Sequence, residues 1–292
     1  MNKILAEIAS QPRCWRTAAA RASDLDGVLP KPGEHAAMLG CGTSYFMAQA
    51  FASAREALAL GLSDAFAASE MPAARHYDCV VAISRSGTTT EVVRALESVG
   101  PGTRTVVITA VADSPVTTAA ADTVVLDFAD EESVVQTRFA TTTLALLLTH
   151  AGDDLELAAT DAEEALTAPL GFAVDEFDHY VFLGRGWTVG LANEAALKFR
   201  ESAGAWTESY PAMEYRHGPI SVAGSRSVVW PLEPLDADLV EAVRATGAFV
   251  VPDGLHPLAR LVLIQRAAVA LAQARGMDPD RPRHLTRSVV LD

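Results

Sequence analysis

Cysteine is scarce: the 292 residues hold three, Cys14, Cys41 and Cys79, scattered and without a CxxC pair. That excludes a disulfide framework and implies reduced thiols in a cytoplasmic setting. Positive charge is also short, with 23 Lys and Arg against 37 Asp and Glu and a formal net charge of −14. Such a balance argues against nucleic acid or an anionic membrane as partner, since a broad basic surface is lacking. A small anionic ligand stays possible, because backbone N–H groups at helix starts hold anions without net positive charge. The apolar runs, Leu144–Leu148 among them, are far too short to span a bilayer. The N-terminal MNKILAEIASQPRCW lacks the charged-then-apolar order of a signal peptide. Neither GxGxxG nor GK[ST] occurs, so the chain has no dinucleotide fingerprint and no Walker loop. No cofactor and no metal is expected.

What is present is an ordinary globular balance, 50% apolar and 21% charged, in a chain long enough for two domains. Residues 2–25 read as helical, broken or restarted at Pro12. From residue 35 short apolar strands alternate with longer helices, which implies parallel sheets between helix layers. Strands are expected at His35–Leu39, Tyr77–Ile83, Thr105–Thr109, Thr123–Phe128, Tyr180–Leu183, Ser227–Trp230 and Ala248–Val251. Helices are expected at Ser44–Leu60, Thr88–Val99, Pro115–Ala121, Val134–His150, Thr188–Ser202, Asp236–Thr246 and Pro257–Arg275. The division this suggests is an N-terminal helical segment (1–34), a first domain (35–152), an acidic alanine-rich linker helix (153–178), a second domain (179–276) and an extended tail (277–292).

The halves repeat. Leu39-Gly40-x-Gly42…Ala48 recurs as Leu183-Gly184-x-Gly186…Ala192, and in the same register Ala68-Ser69-Glu70 faces Ala212-Met213-Glu214. Two matches in one register suggest a duplicated α/β unit.

Two stretches of the first half suit an anion. Gly40-Cys41-Gly42-Thr43-Ser44 and Ser84-Arg85-Ser86-Gly87-Thr88-Thr89 each follow a strand and open a helix. They place small residues, hydroxyls and unpaired N–H donors at a helix N-terminus, where the dipole favours phosphate. Helix capping by Ser and Thr alone would give similar sequences. A third hydroxyl segment, Ser133 to Arg138 with Thr137, opens the long helix, and three such starts in one sheet go beyond capping. In the second half, Glu194, Lys198 and Glu201 are spaced i, i+4, i+7 and share one helix face. A surface ion pair on an amphipathic helix has the same pattern. His217 follows in an irregular segment.

GCGTSY, ISRSGTTTE, ESVVQTR, LGRG…NEAALKFRE, MEYRHGP and PRHLTRSV together resemble the sugar isomerase (SIS) family, in particular the isomerase half of glucosamine-6-phosphate synthases. The resemblance implies two tandem doubly wound, flavodoxin-like SIS domains and a homodimer with shared active sites. It implies phosphate binding by the two loops, including Cys41, Gly42, Thr43, Ser44, Ser84, Arg85, Ser86 and Thr89, with Thr137 as a further binder. It makes Glu201 the carboxylate that shuttles a proton between C1 and C2, Lys198 a lysine able to form an imine, and His217 the ring-opening histidine, supplied by a neighbouring subunit. Glu194 and Glu214 match further acidic positions, and Arg287 falls where the family has a tail lysine. Arg85 and Arg216 replace a glutamine and a lysine, which leaves phosphate and sulfonate both open as the anion. No glutaminase-like segment is present, so ammonia from glutamine within this chain is not expected. The chemistry fits these groups: an imidazole titrates near neutrality for ring opening, and a lysine becomes nucleophilic if burial depresses its pKa. The function expected is a phosphosugar deaminase/isomerase acting on an amino-sugar phosphate such as glucosamine 6-phosphate. The alternatives are aldose–ketose isomerisation of an anionic hexose without deamination, and a non-catalytic sugar-phosphate sensor.

Overall fold

The computed structural model describes residues 2–291. In chain order the elements are α1 (Lys3–Ala9), α2 (Gln11–Ala19), β1 (Ala36–Gly40), α3 (Thr43–Ala57), β2 (Ser63–Ala67), β3 (Cys79–Ile83), α4 (Thr90–Glu97), β4 (Arg104–Thr109), α5 (Pro115–Ala119), β5 (Asp122–Val125) and α6 (Arg138–His150). They continue with α7 (Glu156–Ala165), β6 (His179–Gly184), α8 (Thr188–Ala203), β7 (Trp206–Pro211), β8 (Ser227–Pro231), α9 (Ala237–Ala245), β9 (Phe249–Val250) and α10 (Pro257–Ala274). No helix among the described residues is long and apolar enough to cross a membrane.

The strands form two parallel sheets, ordered β2-β1-β3-β4-β5 and β7-β6-β8-β9. The first order is that of doubly wound sheets in which the strand after β1 lies at the edge. β1 and β3 are buried along their whole length, as strands covered on both faces should be. Ala37, Leu39, Val80, Ala82 and Val107 pack with Val92, Leu96 and Val116 of α4 and α5. The alternate residues, Met38, Val81 and Val106 among them, are equally buried on the other face. In the second sheet Tyr180 and Phe182 make tilted ring contacts with Phe199 of α8, centroids 4.7 and 5.3 Å apart, while Val181, Leu183 and Val229 pack with Leu239 and Val243 of α9.

The repeated LGxG has a steric cause. A Cβ on Gly40 would lie 2.4 Å from the Ser44 backbone carbon, and one on Gly184 would lie 2.3 Å from the Thr188 carbonyl oxygen. Each glycine lets a helix start press directly on the strand that precedes it.

The chain divides into two compact units that cut across the expected segments. One comprises Arg13–Glu132, Gln136–Leu155 and the tail from Thr286; the other comprises the residues up to Pro12, Ser133–Val135 and Glu156–Leu285. From Glu156 onward the expected linker is part of the second unit: α7 buries Ala158, Ala159, Ala162 and Ala165 along one stripe and packs on α10. The Arg266 guanidinium donates to the carbonyls of Ala165 and Ala168 at the end of α7, where a cation suits the dipole. α1 joins the same unit because Asp280 accepts the N–H groups of Lys3 and Ile4, both at 2.9 Å.

Three local expectations change. β2 and β7 are edge strands absent from the sequence reading. The long helix starts at Arg138 rather than Val134. The Glu131 carboxylate sets that start by accepting the N–H groups of Thr137, Arg138 and Phe139.

Candidate active site

In the first unit the two anion loops follow β1 and β3, which are hydrogen-bonded neighbours. In this strand order that pair is the point where the chain's winding reverses, the place where doubly wound sheets bind ligands beyond the strands' carboxyl ends. Gly42, at φ +53°, turns the chain from β1 into α3. Ser44 is buried on the first turn of that helix, beside the buried Thr43. After β3, Gly87 takes φ +69°, and a Cβ there would meet the Ser114 Oγ at 2.1 Å. The tight bend brings Ser84, Ser86 and Thr89 round the start of α4, with Thr89 as its N-cap. The Ser84 Oγ is buried and has no hydrogen-bond partner among the described residues. A buried hydroxyl left unpaired is costly, so one at a helix N-terminus argues for an outside acceptor. Ser86 Oγ accepts from Thr88 at 3.2–3.3 Å through both its N–H and its hydroxyl. The Cys41 thiol is pushed up by burial and by the nearby Glu91, so it sits in the loop as a neutral group.

Two expected anion ligands are otherwise engaged. Thr137 is fully buried, and its hydroxyl donates to Glu131 at 2.7 Å. A carboxylate of the chain itself therefore sits where an anion was expected at the start of α6. Arg85 is not a surface substitution: its side chain is 1% exposed, its guanidinium lies 3.9 Å from the Glu131 carboxylate, and it donates to the Arg287 carbonyl at 3.0 Å. Arg287 in turn pairs with Asp130 and donates to the Glu131 carbonyl. Glu131, absent from the sequence reading, thus organises this corner. Nothing in EESVV distinguishes it from its neighbour Glu132 until the fold brings Arg85 beside it.

In the second unit the helix face is not a solvated one. The Lys198 and Glu194 side chains are each 1% exposed and Glu201 is 19% exposed, which removes the surface-ion-pair reading. The Lys198 ammonium lies 2.5 Å from a Glu201 oxygen and 3.2 Å from Glu194. Burial alone would push Lys198 down, but the two carboxylates outweigh it and hold the amine above its ordinary range. The condition for a nucleophile, a depressed pKa, is thus opposed by the two carboxylates, which favour the ammonium. Gly204, at φ +57°, ends α8 just beyond the triad. Glu214 and His217 lie on a single helical turn, Glu214–His217, and both are exposed. No hydrogen bond of the His217 ring occurs among the described residues.

Residues 31–151 match the model of the SIS domain family. The glutamine–fructose-6-phosphate aminotransferase [isomerizing] of Sulfurisphaera tokodaii is 26% identical over 99% of this chain and 56% of its own length. That of Methanothermobacter thermautotrophicus is 27% identical over 99% and 57%. The chain thus spans about half the length of the curated relatives it matches. Among solved structures, glucosamine-6-phosphate deaminase from Thermotoga maritima superposes with a TM-score of 0.86 at 25% identity, covering 99% of this chain and 100% of that one. The tagatose-6-phosphate ketose/aldose isomerase of Escherichia coli shares the fold, with a TM-score of 0.80 at 19% identity over 98% and 95%. Residues 31–151 are thus similar to SIS domains, and over nearly its whole length the chain is similar to the isomerizing aminotransferases.

Proposed function

We propose that this chain is a phosphosugar deaminase/isomerase that converts an amino-sugar phosphate such as glucosamine 6-phosphate to the ketose with loss of ammonia. The observation that carries the reading is the buried triad on α8, in which Glu201 alone keeps an exposed edge while Lys198 stays charged beside it. In this reading Ser44, Ser84, Ser86 and Thr89 hold the phosphate. His217 opens the ring. Glu201 takes the C2 proton and returns it to C1, and Lys198 stabilises negative charge as an ammonium. For a 2-amino aldose, moving that proton through the enolamine yields a C2 ketimine; water then releases ammonia and leaves the ketone. No lysine imine is required, so the charged Lys198 is compatible with deamination. The similarity to a glucosamine-6-phosphate deaminase favours this over isomerisation of a hexose without an amine. A sensor that only binds would need the loops but not a buried charge triad. The second sheet's strand order and the close packing at Gly184 support reading that unit as a second SIS domain.

The loops are tested by Ser84→Ala and Ser86→Ala. Each should raise KM for a sugar phosphate by about tenfold or more, the loss of one hydroxyl bonded to a charged group, with a smaller change in kcat. Unchanged affinity in both variants would sink the loop assignment.

The exposed, unengaged His217 supports a role toward a second copy of the chain in a homodimer. Mixing inactive Glu201→Gln and inactive His217→Ala protomers should then restore part of the activity. Mixed dimers that form and stay inactive would show that each chain builds its site alone.

A further inference from the structure

The anion loop carries an arginine between its two serines, and its charge is spent inside the protein. Arg85 Nη2 donates to the Arg287 carbonyl at 3.0 Å, and Nη1 lies 3.9 Å from the buried Glu131 carboxylate. The loop and the first residue of α4 hold the tail beyond Arg287 through three more contacts. Thr88 Oγ1 and Ser288 Oγ are 2.7 Å apart, Thr90 N–H donates to the Val289 carbonyl at 3.2 Å, and Leu291 N–H donates to Thr90 Oγ1 at 2.9 Å. Arg287 completes the corner on Asp130 and Glu131. We propose that Arg85 is a positioning residue that latches the C-terminal tail to the anion loop, rather than a ligand of the anion. The proposal rests on the reading of residues 84–89 as the anion loop.

Three features carry it. The Arg85 main chain is fixed, because its carbonyl accepts from Ala110 N–H at 3.2 Å and Thr109 Oγ1 at 3.4 Å, so the direction of its side chain follows from β3 and β4. Both guanidiniums have carboxylates of the chain itself as partners: Arg85 faces Glu131 and Arg287 pairs with Asp130. The tail is held by polar contacts, not burial, since Val289, Val290 and Leu291 are 51%, 69% and 47% exposed. A segment with so little buried apolar surface opens readily, and the loss of one charged bond controls it. Loop and tail then bias each other: an anion that orders Ser84, Ser86 and Thr89 tightens the tail, and a docked tail tightens the anion by the same factor.

The test is amide hydrogen exchange at Thr90 and Leu291 with and without inorganic phosphate, alongside phosphate binding and steady-state kinetics. Phosphate should slow exchange at both amides in the parent. In Arg85→Gln the two amides should exchange roughly tenfold faster, the effect of losing one charge-assisted bond, and no longer respond to phosphate. The phosphate Kd should stay within about threefold, and kcat should fall by more than KM changes. Arg85→Lys should restore part of both. A phosphate Kd raised tenfold or more with unchanged tail exchange would make Arg85 an anion ligand and overturn the proposal. If Arg85→Gln does not fold, Ser288→Ala decides: it removes only the Thr88 contact, and unchanged Leu291 exchange in that variant overturns the latch. Exchange is read without turnover, so an enzyme inactive on every sugar phosphate would sink the proposed function while the latch stands or falls on the exchange rates alone.

Discussion

Glu201→Gln is expected to lower kcat by about 10²–10⁴-fold, the usual contribution of a positioned acid/base, while sugar-phosphate binding survives. Glutamine keeps the shape of the side chain and its hydrogen bond to Lys198, so the fold should be unaffected. What it removes is the capacity to take a proton from one carbon and return it to the next. Exchange of the substrate's carbon-bound hydrogen with solvent should vanish in the same variant. A Glu201→Gln protein that turns over at the parent's rate would leave the triad a structural ion cluster.

Lys198→Met should have the largest effect on stability. It leaves Glu194, 1% exposed, without the cation 3.2 Å away. Breaking a buried pair by removing one partner costs about 3–5 kcal/mol, readable as a fall in the urea midpoint at neutral pH. The pH dependence has a definite sign. Lys198 is held above its ordinary value of 10.5, so its stabilising contribution is complete below that value and is lost as pH rises through the higher folded pKa. The parent should therefore weaken in strong alkali, and the Met variant should lack that limb. In the variant, burial disfavours the Glu194 anion, so lowering the pH should return part of the lost stability. The chemistry has a matching signature. Borohydride added during turnover should trap no adduct on Lys198, and residual aldose–ketose exchange should persist in any Lys198→Met protein that folds. An adduct on that lysine would contradict its role as a held ammonium.

The sheets were legible where sequence and steric demand coincide. Leu39-Gly40 and Leu183-Gly184 mark the two strand–helix junctions because no side chain fits where α3 and α8 begin. β2 and β7 were not legible. Their residues are half-buried at sheet edges, and SDAFA and WTESYP mix acidic and small side chains without the continuous apolar run of β1 or β3. The triad's spacing was visible, but its burial was not, since burial of that face follows only once α8 packs on β6 and α10. Thr137 and Arg85 misled for one shared reason. Each looks available by local spacing, and each is claimed by Glu131, whose approach is a long-range consequence of the fold. The same limit hid the tail's return to the loop at residues 84–90, because 200 residues separate Thr88 from Ser288.

The most direct measurement incubates the protein with glucosamine 6-phosphate in deuterated water and scores ketose, ammonia and deuterium at C1 of the product separately. The account predicts fructose 6-phosphate and ammonia in equal amounts, with deuterium or transferred C2 hydrogen at C1 according to how fast Glu201 exchanges with solvent. Glu201→Gln should give none of them while still binding the sugar phosphate. Ketose without ammonia from other hexose phosphates would narrow the activity to plain isomerisation. Tight sugar-phosphate binding with no product from any substrate would contradict the account and leave the protein a sensor.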